Sequence, residues 1–249
     1  MKLVLSEYCH ESKSHIEALI SNFHKEGEIL SAGKRNSIKI FDLKGKKINI
    51  KSFKIPNLIN TITYRFFRKS KAERSFVYAE TLLSKGIGTP SPIAFAENTS
   101  AFAFRDSYYI SEHLDYDLTY RELVTNPEYP DNEQILRAFT RFTHKLHEEG
   151  VEFLDHSPGN TLIQLENGNY KFFLVDLNRM NFRKLNFEKR MKNFSRLTPK
   201  KNMVEVMADE YAKLIDRPKE EVFEKMWFFT HQFQKRYRRK HEFKKKLKL

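Results

Sequence analysis

The pattern of apolar and polar positions divides the chain into a mostly β-like first half and a mostly helical second half. After a weakly patterned start, short alternating runs are separated by turn residues, which is typical of half-buried strands. The first hairpin is predicted to turn at Lys44-Gly45 and the second at Asp106-Ser107. In chain order, the runs predict a short helix or turn at 15–27, strands at 37–42 and 47–53, an irregular or helical insert at 55–71, a helix at 72–85, and strands at 93–96, 101–105 and 108–111.

The second half follows a connecting segment at about residues 111–115 and is dominated by helical periodicity. Two apolar runs that join through the turn 166–169 predict a single hairpin among these helices. The predicted elements are helices at 118–124, 132–150, 200–216 and 219–241, and strands at 161–165 and 171–175.

This order predicts an α+β fold with the bilobal architecture of protein kinases. The small β-rich N-lobe would span about 1–111, the hinge about 111–115, and the helical C-lobe about 116–234. A basic C-terminal segment, 235–249, completes a single kinase-like domain covering residues 1–249.

Composition and charge narrow the class of protein. A hydrophobic content of 40% and 22 Phe in 249 residues argue for a globular fold rather than disorder. The net charge of +13 implies an anionic partner, for which nucleic acid, phospholipid headgroups and phosphorylated glycans all qualify. A lone cysteine, Cys9, excludes an internal disulfide and suits a reducing cytoplasm. Because no signal peptide and no 18-residue apolar run is visible, we expect a soluble or peripheral protein.

The most informative chemistry lies between Phe153 and Asp176. Asp155 and Asn160 are five residues apart on a Pro-Gly loop, and Asp176 ends the hairpin that follows. In phosphoryl transfer, such a set supplies a carboxylate that orients and deprotonates the acceptor hydroxyl, and two oxygen ligands for Mg²⁺. The alternative is an ordinary loop in which Asp and Asn cap turns through their own backbone.

With these residues, the chain resembles the lipopolysaccharide kinase family, the Kdo and heptose kinases, which are distant relatives of protein kinases. The similarity covers roughly residues 28–182, and its most family-like strings are IKSFK, SKAERSF, GIGTPSPIA, LHEEGVEFLDHSPGNTLI and VDLNRMNF. The resemblance implies an ATP- and Mg²⁺-dependent kinase that phosphorylates a sugar hydroxyl, of Kdo or heptose, in the inner core of a lipid-anchored precursor.

Further site residues follow from the resemblance by position. Lys51 is expected to hold the α- and β-phosphates of ATP, although a solvated strand lysine is the simpler alternative. Glu73 and Glu80 lie on nearly the same face of the predicted helix, and either is expected to pair with Lys51. The spacing to the Pro90-Ser91-Pro92 break slightly favours Glu80.

The resemblance also implies nucleotide contacts from a loop and from the hinge. Gly33 marks the nucleotide loop, which carries one glycine instead of several, with Lys34 and Arg35 adding charge or forming a simple basic turn. Glu112 and His113 in the connecting segment are expected to contact the nucleotide.

Arg179 and the basic C-terminus are the candidates for contact with anionic partners. Arg179 is expected to bind the acceptor sugar. Residues 235–249 fit adsorption to an anionic membrane, nonspecific nucleic-acid contact, or a solvated tail. The first option would place a cytoplasmic protein peripherally on the inner face of the inner membrane.

Three other functions remain open at this point: a protein or small-molecule kinase of the same fold, a basic nucleic-acid-binding protein without catalysis, and a degenerate pseudokinase. No helix-turn-helix, zinc or RNA-module signature appears, so we expect no nucleic-acid partner.

Overall fold

A computed structural model describes residues 1–7, 9, 13–33, 36–54, 69–99, 104–166 and 168–246. The chain forms two compact units, Met1–Asp115 with Asp176–Asn178, and Tyr116–Val175 with Arg179–Leu249. The first is rich in β-sheet and the second is mainly helical, which confirms the predicted α+β division. That residues 1–249 act as one kinase-like domain stays a prediction.

The first unit is built on an antiparallel sheet with the strand order β1-β5-β6-β4-β3-β2. Its elements are β1 (Lys2–Leu5), α1 (Lys13–Ser21), β2 (Glu28–Ala32), β3 (Asn36–Leu43), β4 (Lys46–Lys54), α2 (Lys71–Ser84), β5 (Pro92–Thr99) and β6 (Phe104–Glu112). The apolar faces of α1 and of the sheet share one core, which includes Ile16, Phe23, Ile48 and Ile50.

Strand β4 positions Lys51. Its neighbours β3 and β6 place Ile38 and Tyr109 opposite Lys51. Ile48 and Ile50 are almost fully buried, and because side chains alternate along a strand, Lys51 lies on the other face. Two paired neighbours make β4 a stiff support for this charged side chain.

Helix α2 has defined caps at both ends. The Ser70 hydroxyl accepts a hydrogen bond from the Glu73 amide, as expected of an N-cap. At the other end Gly86 adopts a left-handed φ of 65°, and the Ile87 amide donates to the Leu82 carbonyl. This Schellman-type ending is the one that a glycine directly after the predicted helix at 72–85 indicates.

The second unit packs helices around one apolar core. Its α-helices and strands are β7 (Leu118–Thr119), α3 (Tyr120–Thr125), α4 (Asn132–Glu148), β8 (Val151–Phe153), β9 (Thr161–Glu166), β10 (Asn169–Leu174), β11 (Met180–Phe182), α5 (Phe187–Asn193), α6 (Lys201–Ile215) and α7 (Lys219–Lys246). Short 3₁₀ turns occupy Pro158–Asn160 and Phe194–Arg196. The core includes Tyr120, Phe139, Phe194 and Tyr211, all at most 1% exposed.

The predicted hairpin after the Pro-Gly loop is confirmed. Strands β9 and β10 pair from Thr161↔Leu174 to Glu166↔Asn169. Asn167 in its turn lies outside the described residues. The hairpin returns the chain to the loop that precedes it, because the Val175 amide donates to the Asn160 carbonyl at 3.0 Å.

Two predicted boundaries were wrong because strand pairing overrode local preference. Asp106 and Ser107 favour turns, but they lie inside β6, with β4 on one side and β5 on the other. Leu118 and Thr119 pair with β9 before the helix begins. Thr119 then caps α3 together with Glu122 in a capping box.

Other differences concern short or terminal segments. Strands β1, β8 and β11 were not predicted, since three or four residues carry too little periodicity. Helix α7 continues to Lys246, beyond the predicted end at 241, so residues 235–246 of the basic C-terminal segment belong to this helix. Residues 55–68 of the predicted insert, and residues 101–103 of a predicted strand, lie outside the described residues.

Candidate active site

The first unit holds the predicted phosphate-binding lysine next to a predicted metal ligand. The Lys51 Nζ donates to the Asp176 Oδ1 at 2.6 Å, and the Asn178 Nδ2 donates to the same oxygen at 2.7 Å. The Lys51 side chain is only 13% exposed, so solvent screens this ion pair weakly. The contact argues against Lys51 as a solvated strand lysine.

Asp176 has an unusual backbone conformation. Its φ of 59° lies in the left-handed region, which few non-glycine residues adopt. Such conformations cost of order 1–3 kcal/mol and concentrate at functional sites. The bonds from Lys51 and Asn178 both end on Oδ1, so among the described residues Oδ2 is left as an oxygen donor.

The predicted pair between Lys51 and a helix glutamate is not formed. The Glu73 Oε1 instead lies 3.4 Å from the Nζ of Lys69, four residues earlier in the chain. Glu80 is exposed, and partial desolvation together with the nearby Glu7 carboxylate raises its pKa. Within the described part of the chain, Lys51 has Asp176 as its ion-pair partner. A role for either glutamate in nucleotide binding stays a prediction.

Gly33 and the connecting segment occupy strand ends of the first unit. The Gly33 amide donates to the Asn36 carbonyl and joins β2 to β3, while Lys34 and Arg35 lie outside the described residues. The amides of Glu112 and His113 donate to the carbonyls of Ser91 and Lys47. These two amides are therefore already used by the sheet, and a nucleotide contact would have to use their carbonyls or side chains.

The second unit holds the loop with the predicted general base. The Asn160 Nδ2 donates to the Asp155 carbonyl at 2.8 Å, and the Asn160 amide donates to the Ser157 carbonyl. The first bond uses the amide nitrogen of Asn160, so this side chain ties the loop together. Its amide oxygen is a donor of the kind that a hard cation accepts.

Two arginines face the Asp155 carboxylate. The Arg196 Nη1 lies 2.8 Å from Oδ1, and the Arg179 Nη1 lies 3.8 Å from Oδ2. Arg196 also donates to the Leu154 carbonyl at 3.0 Å, so it fixes both the side chain and the backbone of this turn. Arg179 had been predicted as a substrate contact. Arg196 was missed, because nothing in the local sequence connects it to Asp155.

His156, the residue after the predicted general base, is buried in the core of the second unit. His156 is 1% exposed, its ring lies within 5.6 Å of the Phe139 and Phe153 rings, and both of its nitrogens lack a hydrogen-bond partner in the described part of the chain. Burial lowers the pKa of His156 to about 4. The residue next to the predicted base is therefore an uncharged core residue.

The predicted Mg²⁺ ion requires oxygen ligands, which the described residues supply in small number. Among the described residues, no cluster of three or more His, Cys, Asp or Glu side chains could hold a metal ion. Mg²⁺, however, typically takes only one or two protein carboxylates and completes its shell with phosphate oxygens and water. The Asp176 carboxylate in the first unit and the Asn160 amide oxygen in the second are each hard donors of the kind that Mg²⁺ prefers, so each residue type fits the ion.

Comparison with solved structures places the fold in a known class. A structure described as "WaaP in complex with acyl carrier protein" superposes with a TM-score of 0.65 at 15% sequence identity. The match covers 96% of this chain and 99% of that chain. The β-rich N-terminal and helical C-terminal parts therefore have the fold of that protein. None of the curated proteins matches the chain.

The family follows from a second comparison. The family model described as the lipopolysaccharide kinase (Kdo/WaaP) family matches residues 37–217, which is well over half of the chain. The chain belongs to this family, as the sequence resemblance predicted, and it is a lipopolysaccharide kinase. Family membership also implies that it uses ATP.

Proposed function

We propose that the protein is an ATP- and Mg²⁺-dependent kinase that phosphorylates a hydroxyl of Kdo or heptose in the inner core of a lipid-anchored lipopolysaccharide precursor. The observation that carries this proposal is the extent of the family match. Residues 37–217 include every member of the proposed machinery, namely Lys51, Asp155, Asn160 and Asp176.

Asp155 has the role of general base. It would accept the proton of the sugar hydroxyl as the oxygen attacks the γ-phosphorus of ATP, and the β–γ bridging oxygen of ATP would leave as part of ADP. Arg196 supports this role by holding the carboxylate at 2.8 Å through one nitrogen while the same nitrogen holds the Leu154 carbonyl. The base is thus oriented before the acceptor arrives.

Lys51, Asn160 and Asp176 bind the nucleotide. Lys51 supplies a cation for the phosphates, and its bond to Asp176 Oδ1 keeps that carboxylate in place. When bound, Mg²⁺ neutralises the developing charge on the phosphate oxygens. Asn160 and Asp176 are the proposed ligands of the ion, since both supply hard oxygen donors.

The acceptor determines where the enzyme works. No helix in the described part of the chain is long and apolar enough to cross a membrane. ATP is a cytoplasmic substrate, so we place the reaction at the inner face of the inner membrane, where a lipid-anchored acceptor is within reach.

Mass spectrometry of lipid A–core from cells with and without the gene tests the proposal. We expect the core to lose one phosphate without the gene and to regain it on complementation with the wild-type chain. Asp155→Asn should not restore it, since loss of a general base lowers kcat roughly 10²- to 10⁴-fold.

Asp131→Asn is the matched control. Asp131 is exposed in the second unit, and asparagine tolerates its left-handed conformation, so this variant should complement fully. A core that is identical with and without the gene would contradict the glycan acceptor. It would favour a protein or small-molecule acceptor for the same kinase.

A further inference from the structure

A cavity of about 740 Å³ opens in the second unit beside the Asp155 loop. One wall is the chain around Phe153 and Leu154, with Arg179. The other walls come from the end of α5, the 3₁₀ turn at Phe194–Arg196 and the last turns of α7. Its volume falls within the range of small-molecule sites and is large enough for a sugar unit.

The lining of this cavity is strongly cationic. The seven lysines and arginines that line it come from four separate segments: Arg179, Lys189, Lys192, Arg196, Arg236, Lys240 and Lys244. Its single carboxylate, Glu152, is already bonded to Asn181 and Arg183. Since Lys192, Lys240 and Lys244 have no acidic partner in the described part of the chain, the cavity has a surplus of positive charge.

The basic helix end contributes to the cavity with one face. Arg236, Lys240 and Lys244 recur every four residues, and Phe233 and Tyr237 lie beside them on the same stripe. The Phe233 and Tyr237 rings are stacked at 6.2 Å. Lys235, Arg238 and Arg239 are absent from the lining, so the basic run is divided between a cavity face and an outer face.

Arg196 connects the cavity to the proposed base. Its guanidinium lies 2.8 Å from Asp155 through Nη1 and lines the cavity as well. Its Nε is buried without a hydrogen-bond partner in the described part of the chain. The Arg196 side chain as a whole is 33% exposed, which leaves part of the guanidinium accessible to an anionic ligand in the cavity.

We propose that this cavity binds the carboxylate or phosphate groups of the anionic sugar acceptor and so presents its hydroxyl to Asp155. The proposal rests on the kinase function above and names its recognition site. Guanidinium and ammonium groups are the usual partners of carboxylates and phosphates, and the paired rings offer an apolar surface for the sugar ring. The end of α7 is then part of the acceptor site.

Two charge-matched double variants test this assignment. Arg236→Met with Lys240→Met removes two cations from the cavity face, whereas Arg238→Met with Arg239→Met removes two from the outer face of the same helix. All four side chains are exposed, so both proteins should fold. Lys192→Met changes the opposite wall and gives an independent check.

The assay is phosphorylation of purified lipid A–core from cells lacking the gene, dispersed in detergent. We expect the cavity variants to raise the KM for the acceptor at least about tenfold, with the KM for ATP unchanged. The outer-face variant should keep both constants. Removing the acceptor's own anionic groups should raise the wild-type KM and erase the difference between wild type and the cavity variants.

Binding to vesicles of anionic phospholipid separates the acceptor from lipid headgroups as the source of the anion. If both double variants lose vesicle binding equally and neither changes the acceptor KM, the cavity assignment is overturned. The α7 cations then form a membrane surface.

The two proposals fail in different ways. If the wild-type protein turns over the acceptor and the two double variants have the same constants, the kinase function stands and the cavity assignment is wrong. If the wild-type protein shows no turnover but binds core oligosaccharide, and only the cavity variants lose this binding, the cavity assignment stands and the kinase function is wrong.

Discussion

The buried histidine beside the proposed base makes a quantitative prediction about pH. The His156 pKa falls from its ordinary 6.5 to about 4 because the imidazolium would have to be buried between two phenylalanine rings. Between these values the unfolded chain binds a proton that the folded chain does not. Stability is therefore lost as the pH falls below about 6.5, and the loss is complete near pH 4.

The magnitude follows from the two pKa values. Integration from pH 7 to pH 5 gives a loss of roughly 2 kcal/mol from His156. His147, whose pKa burial lowers to about 3, should contribute a similar amount over the same interval. His156→Leu should therefore lose less stability than wild type over this interval, by roughly 2 kcal/mol.

Urea unfolding at pH 7 and pH 5, followed by fluorescence, measures this difference. The single tryptophan, Trp227, packs against the core of the second unit and therefore reports on the unit that contains His156. At pH 7 His156→Leu should stay within about 1 kcal/mol of wild type, because the change is close to volume-conserving and removes two buried nitrogens that have no hydrogen-bond partner among the described residues.

A neighbouring variant provides the control. Phe153→Leu alters the same packing contact without a titratable group, so it should lower stability by equal amounts at both pH values. If His156→Leu loses as much between pH 7 and pH 5 as wild type, the reasoning about a neutral buried imidazole fails.

Two further predictions concern the other parts of the proposed machinery. Asp176→Asn should weaken Mg²⁺-ATP binding and activity together, because an amide is a poorer ligand for a hard cation and a poorer partner for Lys51; calorimetry that shows unchanged Mg²⁺-ATP binding would contradict the metal role. Thr119→Ala should destabilise the second unit by about 1 kcal/mol, since it removes the hydroxyl from the capping box with Glu122. Glu122→Gln can retain the contact to the Thr119 amide, so it should lower the free energy of unfolding by less. If urea unfolding shows equal losses for Thr119→Ala and Glu122→Gln, the helix cap is not the cause.

The sequence predicted those features whose determinants are local. The Pro-Gly loop and its hairpin are specified within about twenty residues, and Gly86 ends α2 through a conformation that glycine adopts readily. The fold class followed from the order of such elements. The family resemblance then supplied the role of Lys51, which lies in one ion pair with Asp176.

What the sequence could not predict depends on contacts between distant segments. Arg196 reaches Asp155 only because the 3₁₀ turn that carries it packs beside the loop. Lys51 pairs with Asp176, which is 125 residues further along the chain, and helical spacing alone could not show that this carboxylate would take the place expected for Glu73 or Glu80. Asp106 and Ser107 favoured a turn locally, and only their pairing on both sides made them strand residues.

The basic character of the chain is the clearest case in which position decides function. A net charge of +13 is compatible with nucleic acid, a membrane surface or an anionic glycan. Nonspecific nucleic-acid binding needs cations that follow an extended phosphate backbone. Here Arg236, Lys240 and Lys244 instead face a cavity that shares Arg196 with the proposed base, so a group that they attract is delivered next to Asp155. Recognition and chemistry would then be coupled through one guanidinium, and the acceptor's charge would select the hydroxyl that is phosphorylated.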